Sequence, residues 1–275
     1  MAKISLKKGI LDVVLYIIVF IVAQLVVLYA GAGIWAAVKH EGFQATLQAM
    51  TTGSNPALLA ITTVFSSIIT LIVFLKAKWV VLTRDYLLSK PWFTLLWVAL
   101  FTLGAIIPLE FLYEHLGLEM DENTGKLFEG LMKEPWGYVA VGILAPLTEE
   151  IVFRGAILRS LLDMMSKKNH WVAIMISAAM FGLAHGNTAQ FVNALLMGLL
   201  LGWMYYRTKS LVPGILMHWV NNTMAYILAN LVPQSDGKLI DLFGGNEQTV
   251  YYAVGFSLCI LIPSFIQMII RLKKA

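Results

Sequence analysis

The sequence predicts an all-α fold, an integral membrane helical bundle of about eight transmembrane helices. Three observations carry this expectation. Of 275 residues, 59% are hydrophobic and only 13% charged, with a mean hydropathy of +0.77. That is too little charge to cover a water-soluble domain of this length, and too apolar for a disordered chain. Apolar stretches of roughly 20 residues recur along the chain, where a β-barrel would show alternating segments of ~10. Finally, the basic residues between these stretches alternate in density. The formal charge of +4 says little beside where the charges fall, and the lone Cys259 permits no intrachain disulfide.

Taken in order, the spans fall at 10–38, 56–75, 92–115, 137–162, 170–187, 189–206, 210–232 and 249–270. At ~1.5 Å per residue each can cross a ~30 Å hydrocarbon core, the fifth and sixth being short. The first follows Lys3, Lys7 and Lys8, but it far exceeds the ~7–15 apolar residues of a secretory signal and reads as a retained anchor. With the N-terminus in the cytoplasm, Lys76, Lys78, Arg84, Lys90, Arg159, Lys167, Lys168, Arg207, Lys209, Arg271, Lys273 and Lys274 join the first three lysines on that side. The other side holds Lys39, Lys126, Lys133 and Lys238, and Arg154 lies within a span. The positive-inside rule therefore selects eight spans with both termini cytoplasmic. The expectation is one domain over 1–275, a multi-pass protein of the plasma (inner) membrane with no nucleic-acid partner. The longest connections, 40–55, 118–136 and 233–248, lie on the non-cytoplasmic side. Within the second, 124–136 has an amphipathic pattern suited to the interface. Trp35, Trp79, Trp92, Trp136 and Trp171 fall near span ends, as interface anchors do.

An ionisable side chain inside a span costs ~2.5–3.5 kcal/mol on insertion scales, so each is a functional candidate. They cluster in the second half of this chain. In the fourth span, Glu150 and Arg154 are four apart with the acid first, the favourable order for a pair on one helix face. Glu149 is rotated about 100° away and is left without a partner on its own helix, which suits a proton acceptor. Pro146 removes a backbone bond a turn earlier and can widen the helix there. Phe181 and His185 share a face of the fifth span, between small glycines. His218 and Asn222 share a face of the seventh, with Asn221 pointing elsewhere. Residue counting sets His185 near the non-cytoplasmic end and His218 nearer the cytoplasmic end, a tension that offset helices would have to relieve. Gly198 and Gly202 form a Gly-x-x-x-Gly pattern for tight helix packing.

A buried base and convergent hydrogen-bond donors suit hydrolysis of a peptide or other acyl bond. Glu149 with His185 would activate water, and His218 with Asn222 would face the developing oxyanion. Other intramembrane chemistries lack their parts: there is no His-Glu-x-x-His, no Gly-x-Ser-x-Gly and no Gly-x-Gly-Asp. An alternative reading is an interhelical salt-bridge staple made by the two acids and the Arg.

Glu-Glu-x-x-x-Arg at 149–154, Phe-x-x-x-His at 181–185 and His-x-x-x-Asn at 218–222, in that order and each inside a span, resemble the three motifs of the CPBP intramembrane protease family. This family includes the type II CAAX prenyl endopeptidases and bacteriocin-processing or immunity (Abi) proteins. The resemblance covers a core of about 137–230. It implies an endopeptidase cutting a membrane-associated, prenylated or leader peptide. Glu149 and His185 would activate water, His218 and Asn222 would form the oxyanion hole, and Glu150, Arg154 and Phe181 would support the site. The expectation is no obligatory cofactor. A divalent metal such as Zn²⁺, if present, would fall to Glu149, His185 and His218. Two other functions stay open: a bacteriocin immunity or binding protein without catalysis, and a proton- or ion-coupled carrier. The first half offers no counterpart to the polar cluster, which counts against a carrier.

Overall fold

The structure is a computed structural model that describes residues 5–118, 120–231 and 238–272. Lys3, Lys273, Lys274 and the 232–237 part of the seventh span and its following connection lie outside the described residues. The described residues form helices and no strand. Among the described residues, five helices are long and apolar enough to cross a membrane. They are α1 (Leu6–Lys39), α3 (Pro56–Lys76), α5 (Trp92–His115), α9 (Thr188–Thr208) and α12 (Glu247–Arg271). Between them lie α2 (Phe43–Thr51), α4 (Asp85–Leu88), α6 (Glu122–Lys133), the composite run α7 (135–164), α8 (His170–Leu183), α10 (Val212–Leu231) and α11 (Leu239–Leu242).

Local chemistry sets the ends. Asn55, Asn187 and Asn246 begin α3, α9 and α12, each side chain accepting from the backbone N–H three residues on. Pro56 then occupies the first turn of α3, where its missing N–H costs nothing. α1 stops at His40, whose left-handed φ of 57° closes the last turn. The amphipathic stretch expected after residue 124 is α6, with Asp121 as N-cap and the pairs Glu122–Lys126 and Glu129–Lys133 on its exposed side.

Two predicted spans differ from straight crossings. The fifth, expected over 170–187, is helical only to Leu183. Gly186, at φ +76°, turns the chain, and Asn187 immediately caps α9. His185 therefore sits in the turn after α8, not within a span. The fourth is the run α7, continuous from 135 to 164 but changing register four times. Pro135–Gly137 leads into a π-helix over Tyr138–Leu144, an α-turn over Ala145–Glu149, a second π-helix over Glu150–Leu158 and an α-helical end over Arg159–Met164. π segments are rare and concentrate at functional sites. Among the interface anchors, Trp79 turns inward instead: its ring packs 5.0 Å from both Tyr16 and Phe74.

α7 is the centre of the bundle. Every residue from Glu150 to Leu158 is buried, as expected of a helix covered on all sides. Ile151, Val152, Phe153, Ile157 and Leu158 share one core with Phe181, Leu201, Met204 and Met217 from α8, α9 and α10. Helices α8 and α9 approach closely along the Gly-x-x-x-Gly face. A Cβ on Gly198 would lie 2.9 Å from the Ala178 Cβ, and one on Gly202 2.9 Å from Ile174. That close packing brings Phe181 against α7.

Candidate active site

The three motifs meet around the middle of α7. Arg154 donates from one terminal nitrogen to Glu150 Oε1 at 2.9 Å, with both side chains buried to within 1%. The i, i+4 pair read from sequence is thus present. Its guanidinium also lies over the Phe181 ring, 4.3 Å from the centroid, a cation–π contact strengthened by the absence of water. Its Nε and other terminal nitrogen have no hydrogen-bond partner among the described residues.

His218 enters from α10 and lies between the two glutamates. Its Nε2 is 3.6 Å from Glu149 Oε2, and its Nδ1 is 3.5 Å from Glu150 Oε1. Both separations are ion-pair distances too long or misaligned for hydrogen bonds, and Nδ1 is buried without one. Glu149 differs from Glu150 in exposure: its side chain remains 21% exposed against 1%. Glu150 is thus a locked partner of Arg154, while Glu149 faces His218 from a less enclosed position.

His185 reaches the cluster through Phe181. The two rings meet edge-on at 4.9 Å, and the His218 ring meets the same Phe181 ring edge-on at 5.8 Å. Phe181, a turn before His185, lies between the two imidazoles and is the ring through which His185 contacts the cluster. His185 Nδ1 lies 2.9 Å from the Phe181 carbonyl. A carbonyl only accepts, so Nδ1 carries the proton and Nε2 of the neutral ring is left as an acceptor. Among the described residues, His185 is not within ion-pair distance of Glu149.

Asn222, one turn beyond His218, donates from Nδ2 to the Val141 carbonyl at 2.9 Å, and its Oδ1 accepts from Asn221 at 3.2 Å. Sequence reasoning passed over the rest of this face. Thr223 meets the Tyr138 hydroxyl at 3.2 Å, Tyr226 donates to the Glu134 carbonyl at 3.4 Å, and Asn230 donates to the Met132 carbonyl at 3.0 Å. The signal was available: His218, Asn222, Tyr226 and Asn230 recur every four residues. Two glycines also went unnoticed as site residues. A Cβ on Gly214 would lie 2.7 Å from Glu150 Oε2, and one on Gly198 3.2 Å from the free terminal nitrogen of Arg154. Both make room for the buried ion pair.

The expected metal ligands were Glu149, His185 and His218. Among the described residues, no three His, Cys, Asp or Glu side chains converge closely enough to hold a metal ion. The donors as arranged do not fit one.

Residues 132–224, which contain all three motifs, match the family described as type II CAAX prenyl endopeptidase Rce1-like. The chain is 28% identical over 153 residues to YdiL of Bacillus subtilis (strain 168), provisionally named a membrane peptidase. That alignment covers 54% of this chain and 61% of the relative. It is 29% identical over 150 residues to the membrane-embedded CAAX protease MroQ of Staphylococcus aureus (strain USA300), covering 53% and 60%. The chain thus spans about three-fifths of the length of these curated relatives. No solved structure matches it. These comparisons support the CPBP resemblance carried by the three motifs.

Proposed function

From a chain whose residues 132–224 match the Rce1-like CAAX endopeptidases, we propose an intramembrane endopeptidase that hydrolyses a peptide bond of a membrane-associated substrate. The observation that carries the reading is the asymmetry of the two adjacent acids. Glu150 is neutralised by Arg154 at 2.9 Å, while Glu149, among the described residues, pairs with no lysine or arginine and faces His218. A staple would engage both acids equally.

In the proposed reaction Glu149 takes a proton from water as the oxygen attacks the scissile carbonyl. His185, with Nε2 open as an acceptor, orients that water. Charge develops on the carbonyl oxygen, where His218 and Asn222 supply donors. Collapse of the tetrahedral intermediate breaks the C–N bond, and Glu149 returns its proton to the leaving amine. Arg154 and Glu150 hold the opposite side of His218, so the ring keeps its place as charge shifts around it. The substrate class consistent with the family is a prenylated or leader peptide at the membrane, in a multi-pass protein of the plasma membrane.

The test is cleavage by protein in liposomes, with Glu149→Gln beside the wild type. Loss of a positioned base lowers turnover by ~10²–10⁴-fold, with the unfolding temperature little changed because Glu149 is partly exposed and its approach to His218 is too long for a hydrogen bond. Equal turnover by the variant defeats the assignment. A strong chelator is expected to leave wild-type turnover intact, and abolition reversed by added Zn²⁺ would restore a metal to the site. Protection against a toxic peptide retained by Glu149→Gln would instead point to binding without catalysis.

A further inference from the structure

The first π-helix of α7 hydrogen-bonds five residues back: the Ala145 N–H donates to the Ala140 carbonyl. The next donor in that register would be residue 146, onto Val141. Residue 146 is proline and has no N–H to give. The Val141 carbonyl is therefore orphaned by its own helix, a costly state away from water. It is not left unsatisfied, because Asn222 donates to it from α10 at 2.9 Å.

The bond fixes more than a carbonyl. An amide presents either its NH₂ or its oxygen to a neighbour, and only NH₂ can meet a carbonyl. The Asn222 side chain is thus locked in one of its two flips. Its oxygen is turned to Asn221, which donates to it at 3.2 Å. Nδ2 keeps one further N–H, one turn from His218 on the same helix face.

We propose that Pro146 is a positioning residue for the hydrolysis: by withholding an N–H from Val141, it reserves that carbonyl to orient the Asn222 amide, so that the remaining N–H of Asn222 serves the oxyanion. This rests on the endopeptidase reading. Proline is here a device of the site, and the π-helix before it supplies the register in which the vacancy falls on Val141. Replacing it by alanine gives the helix its missing donor and makes that donor compete with Asn222.

The experiment compares wild type, Pro146→Ala, Asn222→Ala and the double variant, in liposomes, with a cleavable reporter peptide. Pro146→Ala is expected to fold with an unfolding temperature at or above wild type, since a helix gains a bond and loses a proline. Its kcat is expected to fall at least tenfold with KM within twofold. The double variant is expected to be no slower than Asn222→Ala alone, because both changes remove the same donor. Wild-type kcat in Pro146→Ala overturns the proposal, as do multiplicative losses in the double variant. Recovery of wild-type turnover by the double variant also overturns it, since Asn222 would then be only a plug for the carbonyl. A second measurement is independent of activity: the side-chain amide resonances of Asn222, assigned by their loss in Asn222→Ala, are expected to shift in Pro146→Ala. Unchanged resonances refute the competition. A wild type that cleaves nothing defeats the endopeptidase reading alone, and the resonances still decide whether proline sets the amide.

Discussion

Gly214→Ala is a sharp test of how tightly the buried ion pair is seated. In an ordinary helix interior, Gly→Ala is stabilising by ~0.5–1 kcal/mol. Gly214 lies in the first turn of α10 without a left-handed φ, so the same gain is available there. Against it stands the 2.7 Å approach of the new Cβ to Glu150 Oε2 and 3.5 Å to its Cδ. The carboxylate cannot yield freely, because it is 1% exposed and bonded to Arg154 at 2.9 Å. If α10 shifts instead, overpacking costs ~1–3 kcal/mol. If the carboxylate leaves Arg154, the broken buried pair costs ~3–5 kcal/mol. Set against that gain, the net change is a loss of up to ~2.5 kcal/mol in the first case and ~2–4.5 kcal/mol in the second, each 1 kcal/mol being worth roughly 2–4 °C in unfolding temperature for a chain of about this size. Either movement displaces His218, whose Nδ1 is 3.5 Å from Glu150, and misplacement of about 1 Å can cost ~10²-fold in turnover. Gly255→Ala in α12 is the control, since a Cβ there meets nothing within 4 Å. Both variants are followed by thermal unfolding in detergent and by peptide cleavage. A Gly214→Ala protein as stable and active as Gly255→Ala would refute the seating of Glu150 against α10.

Other expectations follow from the same geometry. Arg154→Met should destabilise by ~3–5 kcal/mol by leaving Glu150 buried and unpaired; the double variant with Glu150→Leu should recover much of that loss in thermal unfolding. At the N-cap of α6, hydrogen bonds from the Thr124 side chain and backbone hold the Asp121 carboxyl below its ordinary value. A depressed value stabilises the helix above the unfolded value and is lost as pH falls through the folded one. Amide-exchange protection in α6, taken relative to the intrinsic rate at each pH, should therefore fall on acidification below the ordinary aspartate range. Asp121→Asn, which caps without titrating, should remove that step, and its persistence would assign it elsewhere.

Much of the bundle was legible because hydrophobic length is a strong signal: α1, α3, α5, α9 and α12 follow the predicted spans within a few residues. The fifth span was overdrawn because Ala184, His185 and Gly186 continue an apolar pattern, whereas the φ of +76° at Gly186 ends the helix. The π segments of α7 were only partly legible. Pro146 announced a disturbed helix, but nothing in a one-dimensional pattern shows a register five residues back. For the site, spacing sufficed to pair Glu150 with Arg154 and to set Glu149 apart. Spacing could not place His218 between both acids, since that depends on how α10 lies against α7. Nor could it show that Phe181, read as a supporting residue, is the hub touched by Arg154, His185 and His218.

The placement of charge in α7 argues against a purely structural role for the cluster. A buried pair replaced by well-packed apolar groups of similar volume is often neutral or more stable, so packing alone gives no reason to keep Glu150 and Arg154. Still less does it explain a second acid beside them, or a histidine whose Nδ1 is buried without a hydrogen bond. Each of these groups is costly inside a membrane, and the costs converge on the stretch of α7 whose residues from Glu150 to Leu158 are all buried and on His218, which packs against it from α10. Enclosure is what a base and its oxyanion donors need, because charges that move during a reaction act more strongly where water is excluded. On the endopeptidase reading the cluster thus makes sense where its expense is greatest, and Glu149, which alone of Glu149 and Glu150 keeps partial exposure, is the acid proposed to meet water.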